Sequence, residues 1–346
     1  MATFRVEARE GVGPPDRQST YWRLRRKGTD HLAMTFAMRL AVATALFTLV
    51  LVGVGVLVRA TGSGLGCPDW PLCHGGAVPP GHKTAWIEFS HRFVAMIVGF
   101  MVIGVAICAW KFYRHVPFIV WVATLTVPLV GFQGILGAIT VVRELPPEIV
   151  ATHLLTAMIV LSCEIAVAVA MYKEDPSRSK AFRERLPAAA PIGKLALASI
   201  IWLAGVLWIG GYMTESGAAT ACEGWPLCNG SVLPASDDHE IVHMLHRYLA
   251  GAFVFLIVPL VIAAWRRRAE VRWAAPVAVL VGVLYTAQVI VGALNVWWTF
   301  PDPLTISHTV IAATIWFTLS VAVALTYYAP AVARVPTPLR KAGAPA

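Results

Sequence analysis

Eight apolar runs, each about 20 residues or longer, constrain this chain more than any other feature, because a helix of that length crosses the hydrocarbon core of a bilayer. The runs cover roughly 36–58, 86–110, 117–142, 148–172, 193–213, 239–264, 274–298 and 303–328. Segments rich in proline and glycine, such as "GGAVPPGHK" and "ELPPE", separate most of them. Of the 346 residues, 14% are charged and 58% hydrophobic, whereas soluble domains carry roughly 25% charge. The expected fold class is an all-α integral membrane protein with eight transmembrane helices.

The net charge of +9 does not point to nucleic acid, because the basic residues fall between the runs on alternate sides. One side takes Arg23, Arg25, Arg26 and Lys27, then Lys111 and Arg114, then Lys173, Arg178, Lys180, Arg183, Arg185 and Lys194. It also takes Arg266, Arg267, Arg268 and Arg272, and finally Arg334, Arg340 and Lys341. The other side has few: Arg59, Lys83 and Arg143. The positive-inside rule then predicts that both termini are cytoplasmic. The first run follows a polar, basic tail too long for a signal n-region, so no cleavable signal is expected and the tail is read as poorly ordered.

An internal repeat organises the chain. "CPDWPLCHG" (Cys67 to Gly75) and "CEGWPLCNG" (Cys222 to Gly230) are offset by 155 residues. The same offset relates His91-Arg92 to His246-Arg247, Gln133 to Gln288, and His153 to His308. One offset held without a gap makes the chain two copies of a four-span unit. An even number of spans per copy predicts a parallel repeat, with its pseudo-twofold axis along the membrane normal. The expected units are a tail over 1–35, a first four-helix bundle over 36–172 and a linker over 173–192. A second bundle over 193–328 and a tail over 329–346 follow. Any cofactor would sit between the helices of a bundle.

Both cysteine pairs, Cys67/Cys73 and Cys222/Cys228, fall in loops on the outward side. In a bacterium that space is oxidising, and a disulfide within each pair is plausible. Three readings are open: a bridge that pins each loop, a redox relay, and a four-cysteine metal site spanning both loops. Cys108 and Cys163 lie in or near spans and read as small apolar residues.

Ionisable groups inside spans are costly and mark candidate sites. His91, His153, His246 and His308 lie at one depth near the outward face, two per copy on different helices. Paired imidazoles facing each other across a bundle suit axial ligation of a haem iron. The bland alternative is four satisfied polar core residues, and zinc is disfavoured because no third ligand recurs at that depth. Arg92, Arg247 and Arg59 are candidates for haem propionates, since guanidinium groups pair well with carboxylates; interfacial snorkelling is the competing reading. Three residues before His91 stands Glu88, and three before His246 stands His243. That spacing puts each pair on one helix face. The copies therefore differ beside the ligand: a carboxylate can move a proton or stabilise developing positive charge, while a histidine suits a supporting role. The competing reading of Glu88 is an acid near a helix N-terminus.

These residues resemble the heme A synthase family. The resemblance is carried by "TGSGLGCPDWPLCHG", "EFSHR", "GFQGILGAITV", "THLLTA", "HMLHR", "QVIVGALNV" and "SHTVIA", in family order over residues 59 to about 313. It implies oxidation of the C8 methyl of heme O to a formyl group, giving heme A, by successive hydroxylations and loss of water from a geminal diol. It implies a substrate haem at His91 and His153, a haem b at His246 and His308, and Glu88 as the essential acid. The partners implied are a heme O synthase that delivers substrate, cytochrome oxidase assembly factors, an unidentified electron donor and membrane lipid; further copies of this chain are also admitted. The implied location is a bacterial inner membrane, multi-pass, with the cysteine loops periplasmic. The alternative from another class is a di-haem b electron-transfer protein using the same histidines; a transporter fits less well, because the histidines cluster near the outer face.

Overall fold

The computed structural model describes residues 17–235 and 237–330, and of residues 17–31 and 176–186 the backbone alone. The cationic residues of both tails, together with Arg178, Lys180, Arg183 and Arg185, thus lie outside the described side chains. The helices are α1 (Arg17–Ala60), α2 (Lys83–Phe112), α3 (Pro117–Val142), α4 (Pro147–Lys173), α5 (Pro176–Glu215), α6 (Asp238–Ala252), α7 (Val254–Arg266), α8 (Ala274–Trp297) and α9 (Asp302–Tyr327). Among the described residues there is no strand, and eight segments are long and apolar enough to span a membrane. All eight expected spans are borne out.

Two boundaries differ from expectation. Helix α1 begins at Arg17, inside the segment read as an unstructured tail, and α5 begins at Pro176, inside the segment read as a linker. Proline at the first turn of a helix loses no hydrogen bond, which favours starts at Pro117, Pro147 and Pro176.

The sixth span is broken, with α6 and α7 meeting at Phe253. Side chains from other helices take the carbonyls there. The Tyr285 hydroxyl donates to Ala250 O at 2.9 Å and Gly251 O at 3.3 Å, and Trp202 Nε1 donates to Leu249 O at 2.8 Å. Pro259 has no N–H to offer the turn before it. Groups inserted into the ladder and a proline are the ordinary causes of a break.

Helix α1 packs on α2 and α4, and α3 packs on α2 and α4. In the second copy α5 packs on α6, α7 and α9, and α8 packs on α7 and α9. The copies meet through α4 on α5, α4 on α9 and α1 on α9. In lipid, association rests on close packing and hydrogen bonds rather than on burial from water. Small residues accordingly fill the shared core, among them Ala45, Ala196, Ala312 and Ala313, beside Met158, Leu161, Ile315 and Leu319. Ser162 and Ser320 hydrogen-bond across the seam at 3.0 Å. Trp316 Nε1 reaches Met158 O at 2.9 Å and Ser162 Oγ at 2.8 Å. At the far end, buried Lys173 donates to the carbonyls of Leu325 (2.8 Å) and Tyr328 (2.6 Å), capping α9. That cation, counted for orientation in the sequence, holds the copies together.

Candidate active site

The two cysteine pairs are disulfides, Cys67–Cys73 and Cys222–Cys228, and all four residues are buried. The two loops share one local design. In each, the second cysteine bridges back to the residue three further on, Gly76 or Ser231. The residue after that cysteine, His74 or Asn229, has positive φ, at 53° and 50°. In the first loop Asp69 accepts from His74 N at 2.6 Å and Gly75 N at 2.7 Å. These bonds, the one from Gly75 foremost, hold its carboxyl below the usual range. In the second loop position 224 is glycine, and Asn229 ties the loop instead, accepting from Glu223 N at 3.1 Å and donating to Ala221 O at 3.1 Å.

The arginines after the two histidines anchor these loops. Arg92 donates to Asp69 O (2.7 Å), Leu72 O (2.6 Å) and Cys67 O (3.0 Å). Arg247 donates to Gly224 O (2.8 Å), Leu227 O (3.1 Å) and Cys222 O (3.5 Å), the same three positions of the repeat. Sequence reasoning offered propionates or snorkelling for them; in the structure their terminal nitrogens are on loop carbonyls. Arg59 lies 3.7 Å from Glu215, across the two copies.

Glu88 is buried and held at both oxygens. Its Oε2 accepts from Cys67 N at 2.7 Å, and its Oε1 pairs with Arg92. The matching residue, His243, is also buried, but its Nδ1 faces Ala218 O at 3.1 Å. Each copy thus places a polar side chain beside the first histidine and secures it to the connection before that helix, by a carboxylate in one and an imidazole in the other.

The sequence suggests close approach to the histidines at Gly99, Gly134 and Gly137; of these only Gly137 faces a histidine, and it is one of four glycines that do so. A Cβ added at Gly55 on α1 would meet His91 Nε2 at 3.1 Å, and one at Gly137 on α3 would meet His153 at 3.6 Å. At Gly210 on α5 it would meet His246 at 2.9 Å, and at Gly292 on α8 His308 at 3.1 Å. Gly55 and Gly210 are 155 residues apart, as are Gly137 and Gly292. The repeat offset was the signal that could have found all four. The imidazoles of His91, His246 and His308 lie where a side chain on the facing helix would crowd them, while His153 has room for a methyl.

The second pair has the geometry of a shared ligand set. The rings of His246 and His308 have centroids 6.4 Å apart and planes 63° apart. Two imidazoles bonded at about 2 Å to one metal place their ring centres about 6 Å apart. Nδ1 of both rings and Oε1 of Gln288 are buried without a hydrogen-bond partner. In the first copy Gln133 is engaged: its amide nitrogen donates to His153 Nδ1 and His153 O at 3.2 Å each, and its oxygen accepts from Thr156 Oγ1 at 2.7 Å. The residues present therefore fit a bis-histidine haem. No group of three or more His, Cys, Asp or Glu forms a metal cluster among the described residues, which leaves the four-cysteine metal site without support.

Known proteins extend this picture. The family model described as cytochrome oxidase assembly protein, COX15-CtaA, matches residues 38–86 and 81–320. The heme A synthase of Shouchella clausii is 34% identical over 238 residues, covering 66% of this chain and 75% of its own. That of Alkalihalophilus pseudofirmus is 31% identical over 256 residues, 73% of this chain and 84% of its own. That of Geobacillus kaustophilus is 31% identical over 266 residues, 74% and 81% respectively. With most of its length matched, the chain belongs to the COX15-CtaA family of cytochrome oxidase assembly proteins.

Proposed function

We propose that this protein is a heme A synthase, a multi-pass membrane oxidoreductase that converts heme O to heme A for cytochrome oxidase assembly. The observation that carries this reading is the pairing of histidines with a buried, doubly held Glu88 in one copy and its replacement by His243 in the other, in a chain similar to curated heme A synthases. Substrate heme O is assigned to the first four-span unit, 36–172, with His91 and His153 as its iron ligands. The helix contacts within each copy support two four-helix units in tandem, the second over 193–328. The disulfide loops are placed on the periplasmic side of a bacterial inner membrane, with both termini cytoplasmic.

In the first unit Glu88 is the acid–base group beside the methyl carbon. As the geminal diol loses water, it would take the proton from one hydroxyl and deliver one to the other, which leaves as water. Arg92 and the Cys67 N–H hold its two oxygens and keep the carboxylate aimed. The disulfide loop covers the outer mouth and limits water. His246 and His308 would hold haem b, which would supply a one-electron store when bound. Arg59 is a candidate contact for its propionates, and Arg92 and Arg247 would reach propionates only through the loops they hold. Heme O synthase is the expected donor of substrate, and oxidase assembly factors are the expected recipients of product.

The test of the ligand assignment is spectroscopic. Protein purified with its haems should lose a low-spin haem b spectrum in His246→Ala or His308→Ala while retaining heme O. An unchanged spectrum in both variants would end the assignment. A di-haem electron carrier would keep its haems unmodified and would tolerate loss of Glu88.

A further inference from the structure

Eleven residues beyond His153 on α4, about 16 Å deeper at the rise of an α-helix, stands a second acid. Glu164 is buried, at 5% exposure, and neither carboxylate oxygen has a hydrogen-bond partner. It lines a narrow, partly open cavity between α1, α2, α3 and α4, together with Ala41, Thr44, Val102, Val105, Ala123, Thr126 and Val167. No other lining residue is charged. Thr48, whose buried hydroxyl is likewise unpartnered, is close enough to interact with the acid. The hydroxyls of Thr44 and Thr126 donate to Leu40 O and Val122 O, each at 2.8 Å. They therefore present lone pairs, not hydrogens, to the cavity.

The duplication supplies the control. At the matching positions of the second copy, Glu164, Thr48 and Thr126 are replaced by Leu319, Leu203 and Val281, all part of the apolar core. Thr44 is matched by Ser199, a buried hydroxyl, so the second copy keeps one polar group there and fills the other three positions, the acid's included, with hydrocarbon. The first copy retains an acid at a depth where an ionised, unpaired carboxylate costs several kcal/mol. An acid facing two hydroxyls whose hydrogens are already spent on backbone carbonyls favours a guest that brings hydrogens.

We propose that Glu164, with the hydroxyls of Thr44, Thr48 and Thr126, forms an intramembrane site that holds one exchangeable proton and water. The site lies beneath the first histidine pair in the same four-helix unit, and Glu164 shares α4 with His153. Thr126 is two turns of α3 below Gln133, which contacts His153. The acid is therefore distinct from Glu88, which is tied to the outer loop.

Infrared spectroscopy of the full-length protein in membranes, recorded in H2O and in D2O, tests this. At neutral pH the wild-type spectrum should contain the carbonyl stretch of a protonated carboxylic acid that moves to lower frequency in D2O. The band should vanish in Glu164→Gln and shift in Glu164→Asp, with the haem spectrum of both variants unchanged. The Asp variant keeps the test valid should the Gln variant fail to fold. Absence of such a band in the wild type, with an ionised carboxylate lost in Glu164→Gln, would overturn the proposal in favour of a bound cation. A band indifferent to D2O would overturn the exchange with water.

Discussion

Cys67 and Glu88 are joined by a 2.7 Å hydrogen bond from the cysteine's backbone N–H to the carboxylate's Oε2. A residue locked in a disulfide thus fixes one oxygen of the proposed catalytic acid, and Arg92 fixes the other while also gripping the Cys67 carbonyl. The loop, the arginine and the acid form one unit. This accounts for the recurrence of the Trp-Pro-Leu-Cys loop in front of a His-Arg pair: the arginine reads three carbonyls of the loop in both copies.

Breaking the first bridge should loosen that unit. Closing so short a loop contributes about 2 kcal/mol by restricting the unfolded chain. Cys67→Ser or Cys73→Ser should lower thermal stability by a corresponding few degrees and reduce turnover. The haem b spectrum should persist, because the second loop is intact. Equal loss of turnover and of haem b would instead mark the bridge as a general fold requirement.

Glu88→Gln keeps the shape but gives up the ion pair with Arg92 and the ability to take a proton. General acid–base groups contribute typically 10²–10⁴-fold, so turnover should fall by about that factor with bound heme O retained. His243→Glu, placing the first copy's acid in the second, should leave turnover nearly unchanged. Single-turnover assays on protein loaded with heme O measure both.

The glycine cradles predict a graded series. A methyl at Gly210 would sit 2.9 Å from His246, and one at Gly137 would sit 3.6 Å from His153. Overpacking costs about 1–3 kcal/mol. Gly210→Ala should therefore displace the imidazole and weaken haem b retention, whereas Gly137→Ala should be nearly silent. Haem content per protein after detergent extraction ranks the variants.

Asp69 gives the first cysteine loop an acid limit. Its carboxyl is held below the ordinary value by the N–H groups of Gly75 and His74. A depressed native pKa stabilises above the unfolded value, about 3.9, and that contribution is lost as pH falls through the native one. The loop should therefore stay closed at pH 5 and open progressively below about pH 4. Protection of the His74 and Gly75 amides, relative to their intrinsic exchange rates, should fall there in the wild type, and Asp69→Asn should remove that change. A loop equally protected at pH 3 and pH 5 would contradict this.

The eight spans and the placement of the four histidines were legible because bilayer thickness sets helix length, and because duplication repeats a residue at one offset. Long-range contacts were not. The break at Phe253 depends on Tyr285 and Trp202, which are remote in sequence and visible only once α8 and α5 are packed. The loop-anchoring role of Arg92 and Arg247 uses backbone carbonyls, which carry no sequence signature. Lys173 reads as an ordinary flanking cation, yet its ammonium caps a helix from the other copy.

Haem extraction and mass analysis test the central claim most directly, after expression with a source of heme O in a host lacking heme A, with Glu88→Ala alongside. The wild type should yield heme A or its hydroxylated precursor, and the variant neither, with haem b present in both. Recovery of only heme O and haem b from folded wild-type protein supplied with electrons and oxygen would contradict the assignment and favour an electron carrier.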